Sequence, residues 1–273
     1  MRTKIKIAII ITVAFLIFSA IGVYNILHTS TLVNEPIYVL AGYYYLTEGE
    51  VFHTGHPILT HIIAAAPLLF VDVNVPKPNE ISHPFEFARN EWMYYGENDL
   101  NTILFWSRVP FLFLSFFFAY YVFRWVRELY GLVPAALALA LYIFNPDIIW
   151  TSTVAMTDLS VAGFMFVSCY YLWKYLKTDK KWHLFLWGVF FGLAISSKST
   201  ALFVIPIYFA IYIVYKRISV KMFVRDFLII GCIAIILFSL INIRDINPIY
   251  DANNPFYEQS SEFRTDERLQ KLT

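Results

Sequence analysis

Two short polar clusters interrupt an otherwise apolar chain: Asn34-Glu35-Pro36 with His56-Pro57 after the first apolar run, and Thr157-Asp158 further on. Charges at or inside a membrane are costly, so each is a site whose partner has to be named. A carboxylate such as Glu35, with its pKa lifted by burial, has the chemistry to take a proton from an incoming hydroxyl. The plain alternative is a solvated loop acid. Asp158 would be a second carboxylate facing Glu35 across an outer cavity. Equally, Thr157 and Asp158 would cap a helix start, where such residues satisfy orphan N–H groups and favour the dipole.

The cations read in the same two ways. Arg108, in Trp106-Ser107-Arg108-Val109-Pro110, lies five residues inside the second long apolar run. It would either snorkel to the outer headgroups or grip a phosphate through paired donors. Lys198 interrupts two apolar segments amid Ser196, Ser197, Ser199 and Thr200, on a side where lysine is disfavoured. It reads as an anion site, with a snorkelling lysine as the alternative. His56 would cap a helix opening at Pro57 or touch an anion beside its start. His53, His56 and His61 have no carboxylate at zinc-motif spacing, so no metal site is expected.

These residues need a scaffold, and composition supplies it. Of 273 residues 59% are hydrophobic, 19% aromatic and only 15% charged, with a mean hydropathy of +0.58. That excludes a soluble domain and indicates a multi-pass membrane protein. About 20 apolar residues cross a hydrocarbon layer of roughly 30 Å, and seven runs approach that length: 5–24, 103–123, 132–149, 159–175, 183–197, 201–215 and 227–243. A shorter stretch, 58–73, carries His61, Pro67 and Asp72 and is expected as a juxtamembrane or re-entrant helix.

Lysine and arginine fix the expected orientation. With the amino terminus cytoplasmic, the inner segments hold thirteen positive and three negative charges, and the outer ones eight positive and seventeen negative. The net charge of +1 thus hides strong sidedness and gives no reason to expect a nucleic-acid partner. The basic start and the length of the first run suit a retained signal anchor. Cys169 and Cys232 fall in different apolar runs and suggest no disulfide framework.

The expected architecture is therefore an all-α membrane protein of about seven transmembrane helices over 1–244, with juxtamembrane helices in a long outer loop at 25–102. Pro36 suits the first position of a helix, which would set Asn34 or Glu35 at an entrance whose backbone donors attract anions. A polar tail, 245–273, would lie outside and reads as the opening of a further C-terminal region.

The order and sidedness of these motifs resemble the integral-membrane glycosyltransferases of the C superfamily, above all the dolichyl-phosphate-mannose protein mannosyltransferases of glycosyltransferase family 39. The resembling stretches are Asn34-Glu35-Pro36-Ile37-Tyr38 with Gly42 and Tyr45, His56-Pro57-Ile58-Leu59, Ser107-Arg108-Val109-Pro110, Thr157-Asp158 and Gly192-Leu193-Ala194-Ile195-Ser196-Ser197-Lys198. The resemblance implies transfer of a hexose or pentose from a polyprenyl-phosphate carrier to a protein, lipid or glycan acceptor on the outer face. In such enzymes an acid of a first-loop pair activates the acceptor hydroxyl. Carried over, Glu35 matches the second acid of that pair, Asp158 the acid of the second outer loop, and His56, Arg108 and Lys198 positions near the carrier phosphate. Asn34 stands where the first acid is usual, so either Glu35 serves alone as the base or activity is altered or lost. Relatives commonly continue with more helices and a soluble domain.

The reading at this level is a glycosyltransferase in a prokaryotic plasma membrane, or the ER membrane of a eukaryote. Its substrates are a lipid-phosphate sugar and an acceptor; no resident cofactor is required, and metal dependence is left open. Glu35 is the expected base, Asp158 orients a substrate, Asn34 lies beside the reacting groups, and Arg108, Lys198 and His56 hold the phosphate. The rival from another class is a protein that binds or translocates the same lipid without transfer chemistry.

Overall fold

The computed structural model describes residues 2–49, 55–74, 87–94, 97–216 and 220–243. The tail at 245–273, His53 and the middle of the first loop lie outside the described residues. Regular structure among the described residues is helical throughout. It comprises α1 (Arg2–His28), α2 (Glu35–Thr47), α3 (Leu59–Ala65) with a 3-10 turn (Ala66–Phe70), a π-helical segment (Phe87–Tyr94), α4 (Leu100–Tyr130), α5 (Leu132–Ile143) and α6 (Pro146–Thr151). There follow α7 (Thr157–Thr178), α8 (Lys181–Ser197), a 3-10 turn (Ser199–Val204), α9 (Ile205–Lys216) and α10 (Val220–Ile241).

Three helices are long and apolar enough to cross a membrane: Ile5–His28, Leu100–Tyr130 and Val224–Ile241. They match three of the seven expected spans. Leu59–Phe70, Leu132–Ile143 and Ser199–Tyr215 are apolar but shorter. The run 132–149 is not one span. It breaks at Phe144-Asn145-Pro146, where the Asn145 side chain accepts from the Asp147 and Ile148 amides at 2.9 and 3.2 Å and Pro146 opens a new helix. Asp147 therefore begins α6 instead of ending the helix before it.

Pro36 does lie in the first turn of α2, preceded by Asn34 at the cap position. The next proline behaves differently: α3 begins at Leu59 with Ile58 before it, so Pro57 and His56 sit in the approach to the helix. α2 and α3 press together at Gly42, where a Cβ would stand 2.0 Å from the His61 carbonyl oxygen. Backbone cannot yield as a flexible side chain does. Gly42→Ala is expected to destabilise the protein by about 1–3 kcal/mol, as overpacking does, read as a fall in the thermal midpoint of the detergent-solubilised protein.

In lipid, helices associate where small residues let backbones approach. Gly188 and Gly192, one turn apart on α8, serve this purpose against α10; a Cβ on Gly192 would lie 3.0 Å from the Ala234 Cα. The end of α10 is then tied to the first-loop helices. Tyr45 donates its hydroxyl to the Ile241 carbonyl (2.7 Å), and the Asn242 Oδ1 accepts from the Ile58 amide (2.9 Å). At the other end of the bundle Lys174 pairs with Glu128 (2.8 Å), and Tyr175 and Tyr212 donate to Asp226 (2.7 and 2.6 Å). Lys174 stands sixteen residues along α7 from Asp158, about 24 Å at the helical rise. Lys174 and its partner Glu128 thus lie at the far end of α7 from Asp158.

Candidate functional site

Arg108 sits on α4 and Glu35 at the start of α2, both fully buried. Two buried charges of opposite sign must neutralise each other or pay heavily for desolvation. They do so as a fork: Arg108 Nε donates to Glu35 Oε1 at 2.8 Å and Nη2 to Oε2 at 2.7 Å. The remaining guanidinium donors go to backbone carbonyls in the last turn of α1 and just beyond it. Nη1 donates to Ile26 (3.2 Å) and Thr29 (2.8 Å), and Nη2 to Ser30 (2.9 Å). A guanidinium has five N–H groups, and all five are used.

The carboxylate is equally occupied. Besides the fork, Glu35 Oε2 accepts from the Leu32 amide (3.0 Å) and Oε1 from the Ala155 amide (2.8 Å). Two carboxylate oxygens offer about four acceptor positions, so none is left for a substrate hydroxyl, and no Arg108 donor is left for a phosphate. In this structure the donors and acceptors of the pair are all engaged by the protein. What the pair holds is the segment before α7, through Ala155, against the ends of α1 and α4.

Three residues after Ala155 comes Asp158, in the first turn of α7. Lys198 follows the last residue of α8, and its Nζ lies 2.8 Å from Asp158 Oδ1. This pair is open where the other is sealed: the Lys198 side chain is 25% exposed and that of Asp158 55%. His56 is in electrostatic reach of both. Burial first, and then the charge of Lys198, hold its pKa below the ordinary histidine value, with Asp158 opposing. His56 is therefore neutral at pH 7.

Tyr38 completes the group. Its ring meets His56 edge-on at 5.8 Å, and the Asn34 side chain lies close enough to act on its hydroxyl. Burial, followed by the charge of Asp158, raises its pKa while Asn34 opposes, so the phenol stays protonated. Tyr38 was not among the candidate site residues read from the sequence. The signal was available, because Tyr38 is four residues from Asn34 and shares its helix face.

An apolar groove of about 370 Å³ runs to this point between α4, α5, α6 and α7. Phe118, Val122, Tyr142, Ile148, Leu159 and Phe166 line it, and Asp158 and Thr151 are its polar members. All six expected site residues thus fall at one end of the bundle. Glu35 and Arg108 form a buried clamp, while Asp158 and Lys198, with His56 and Asn34 near them, form an accessible group. Among the described residues, no set of three or more His, Cys, Asp or Glu side chains is placed to hold a metal ion.

A helical bundle with bilayer-length apolar helices and an accessible ion pair at an apolar groove defines a membrane protein whose site suits an amphiphile. Over residues 99–242 the chain matches the family described as dolichyl-phosphate-mannose-protein mannosyltransferase, and it belongs to that family. Membership indicates a membrane glycosyltransferase that draws on a lipid-linked sugar. The matched stretch takes in Arg108, Asp158 and Lys198 and begins after Asn34, Glu35 and His56. No curated protein and no solved structure matches the chain.

Proposed function

We propose that this protein transfers a sugar from a polyprenyl-phosphate carrier to an acceptor hydroxyl on the extracytoplasmic side, with the basic end of the bundle in the cytoplasm. The observation that carries the reading is the accessible Asp158–Lys198 pair, 2.8 Å apart, at the apolar groove. The isoprenoid tail lies in the groove and the carrier phosphate exchanges onto Lys198. That exchange releases the Asp158 carboxylate. The acceptor oxygen then attacks the anomeric carbon with inversion, its proton passes to Asp158, and the bond from the anomeric carbon to the phosphate oxygen breaks. Polyprenyl phosphate leaves with the electron pair, and Lys198 stabilises the charge it gains. Neutral His56 and the Tyr38 hydroxyl offer hydrogen bonds to the sugar. In this reading Glu35 and Arg108 are positioning residues for the loop that presents Asp158.

The test is turnover in proteoliposomes given a polyprenyl-phosphate sugar labelled in the carrier. Release of labelled polyprenyl phosphate that depends on added membrane acceptor supports transfer. Tight binding of hexosyl and pentosyl carriers with no release would favour the rival, non-catalytic reading. A second measurement addresses the groove. Ala162 lines it and is exposed, so Ala162→Phe adds bulk there without entering the core. The expected result is a donor KM raised about tenfold with kcat unchanged, the pattern of lost uniform binding.

A further inference from the structure

A second cavity, of about 380 Å³, is lined by Thr31, Leu32 and Val33 between α1 and α2 and by Arg89, Asn90 and Tyr94 of the π-helical segment. Its character is opposite to the groove's, since hydroxyl, amide, phenol and guanidinium groups surround it. The volume falls within the range of small-molecule sites, roughly 300–1,000 Å³. Leu32 connects it to the clamp, because its amide is one of the four donors on Glu35, and another is the amide of Ala155 just ahead of Asp158.

Arg89 is only lightly tied into the fold. It is exposed, its Nε donates to Asn90 Oδ1 at 3.2 Å, and its two Nη groups have no partner among the described residues. The contrast with Arg108, whose five donors are all satisfied, is direct. Arg89 is also held on a π-helix, a rare conformation that occurs often at functional sites. Arg89 and Tyr94 are five residues apart, about one π-helical turn, and so reach the same wall.

We propose that this cavity is an acceptor subsite in which Arg89 recognises an oxyanion, phosphate or carboxylate, carried by the hydroxylated acceptor. The planar guanidinium fork matches both anions in bidentate geometry. Asn90, Thr31 and Tyr94 supply neutral donors for the hydroxyls beside it. The anion site stands on the cavity itself; naming its ligand as the acceptor rests on the glycosyl-transfer reading.

The experiment is arginine-selective labelling of the full chain in phosphatidylcholine nanodiscs with phenylglyoxal, followed by peptide mass spectrometry, with inorganic phosphate and acetate as probes. Arg127, exposed at the opposite end of α4, is the internal control. Phosphate or acetate is expected to slow labelling of Arg89 about tenfold, the order set by a charge-assisted hydrogen-bonded pair, with Arg127 unaffected; the more protective probe assigns the anion class. Equal effects on both arginines, or none on Arg89, would overturn the site. A parallel arm uses phosphatidylglycerol nanodiscs with no added anion: protection of Arg89 there would make a lipid headgroup the occupant and overturn the acceptor assignment. Labelling reads binding without turnover. A protein that fails to transfer sugar but protects Arg89 would lose the transferase reading and keep the anion site.

Discussion

Asp158→Asn is expected to lower sugar transfer by about 10²–10⁴-fold, the usual contribution of a positioned general base, while the protein stays folded and binds donor. The folding half of this expectation follows from exposure. The Asp158 side chain is 55% accessible and its one ion-pair partner, Lys198, is 25% accessible, and such pairs contribute roughly 0–1 kcal/mol. Asparagine is isosteric and keeps an oxygen for the Lys198 ammonium and for the first turn of α7. What it lacks is the capacity to accept the acceptor's proton. Single-turnover release of labelled polyprenyl phosphate, beside an equilibrium donor-binding measurement, separates the two halves. Transfer within threefold of the native rate would remove Asp158 from the proton-transfer step. Lost donor binding would instead make it a binding group.

Much of the scaffold could be read from composition, and the particular places where reading failed are instructive. The long apolar runs at 5–24, 103–123 and 227–243 became helices because their backbone groups are satisfied within the helix, and the charge that enters the second of them, Arg108, is neutralised by Glu35. Pro36 marked the start of α2 through its fixed φ and missing donor. The same logic, applied to Asn145-Pro146, would have found the break in 132–149; hydropathy outweighed a cap and a helix-starting proline there. No local pattern announces the π-helical turns at Phe87–Tyr94. The exchange of partners at the site was hidden for a different reason. Glu35 and Arg108 are 73 residues apart, and sequence alone gives neither the depth of an acid at a helix start nor which cation meets it. Had both been placed at the same depth, mutual neutralisation would have been the first expectation. The donors and acceptors of the buried pair all face the protein, whereas Asp158 and Lys198 are partly open to solvent; on that contrast rests the proposed division of roles.

Glu35→Gln tests that division of labour. It is expected to cost about 3–5 kcal/mol, the loss seen when one member of a buried ion pair is removed, because no orientation of glutamine suits the site. With either oxygen replaced by an amide nitrogen, that nitrogen faces one Arg108 donor and one backbone amide, of Leu32 or Ala155, and Arg108 is left charged without a counter-ion. Arg108→Met should be no milder, since it strands the Ile26, Thr29 and Ser30 carbonyls as well as the carboxylate. The double variant should cost about as much as either single one, the non-additivity of residues that act as a unit. The thermal midpoint in detergent reports the stability. The discriminating readout is kcat per folded molecule below the lowered midpoint. A positioning residue leaves it within about tenfold of native, since the Ala155 loop retains part of its restraint, whereas a general base takes away about 10²–10⁴. A Glu35→Gln protein that melts at the native temperature yet has lost transfer would return the base to Glu35 and reduce Asp158 to orienting the sugar.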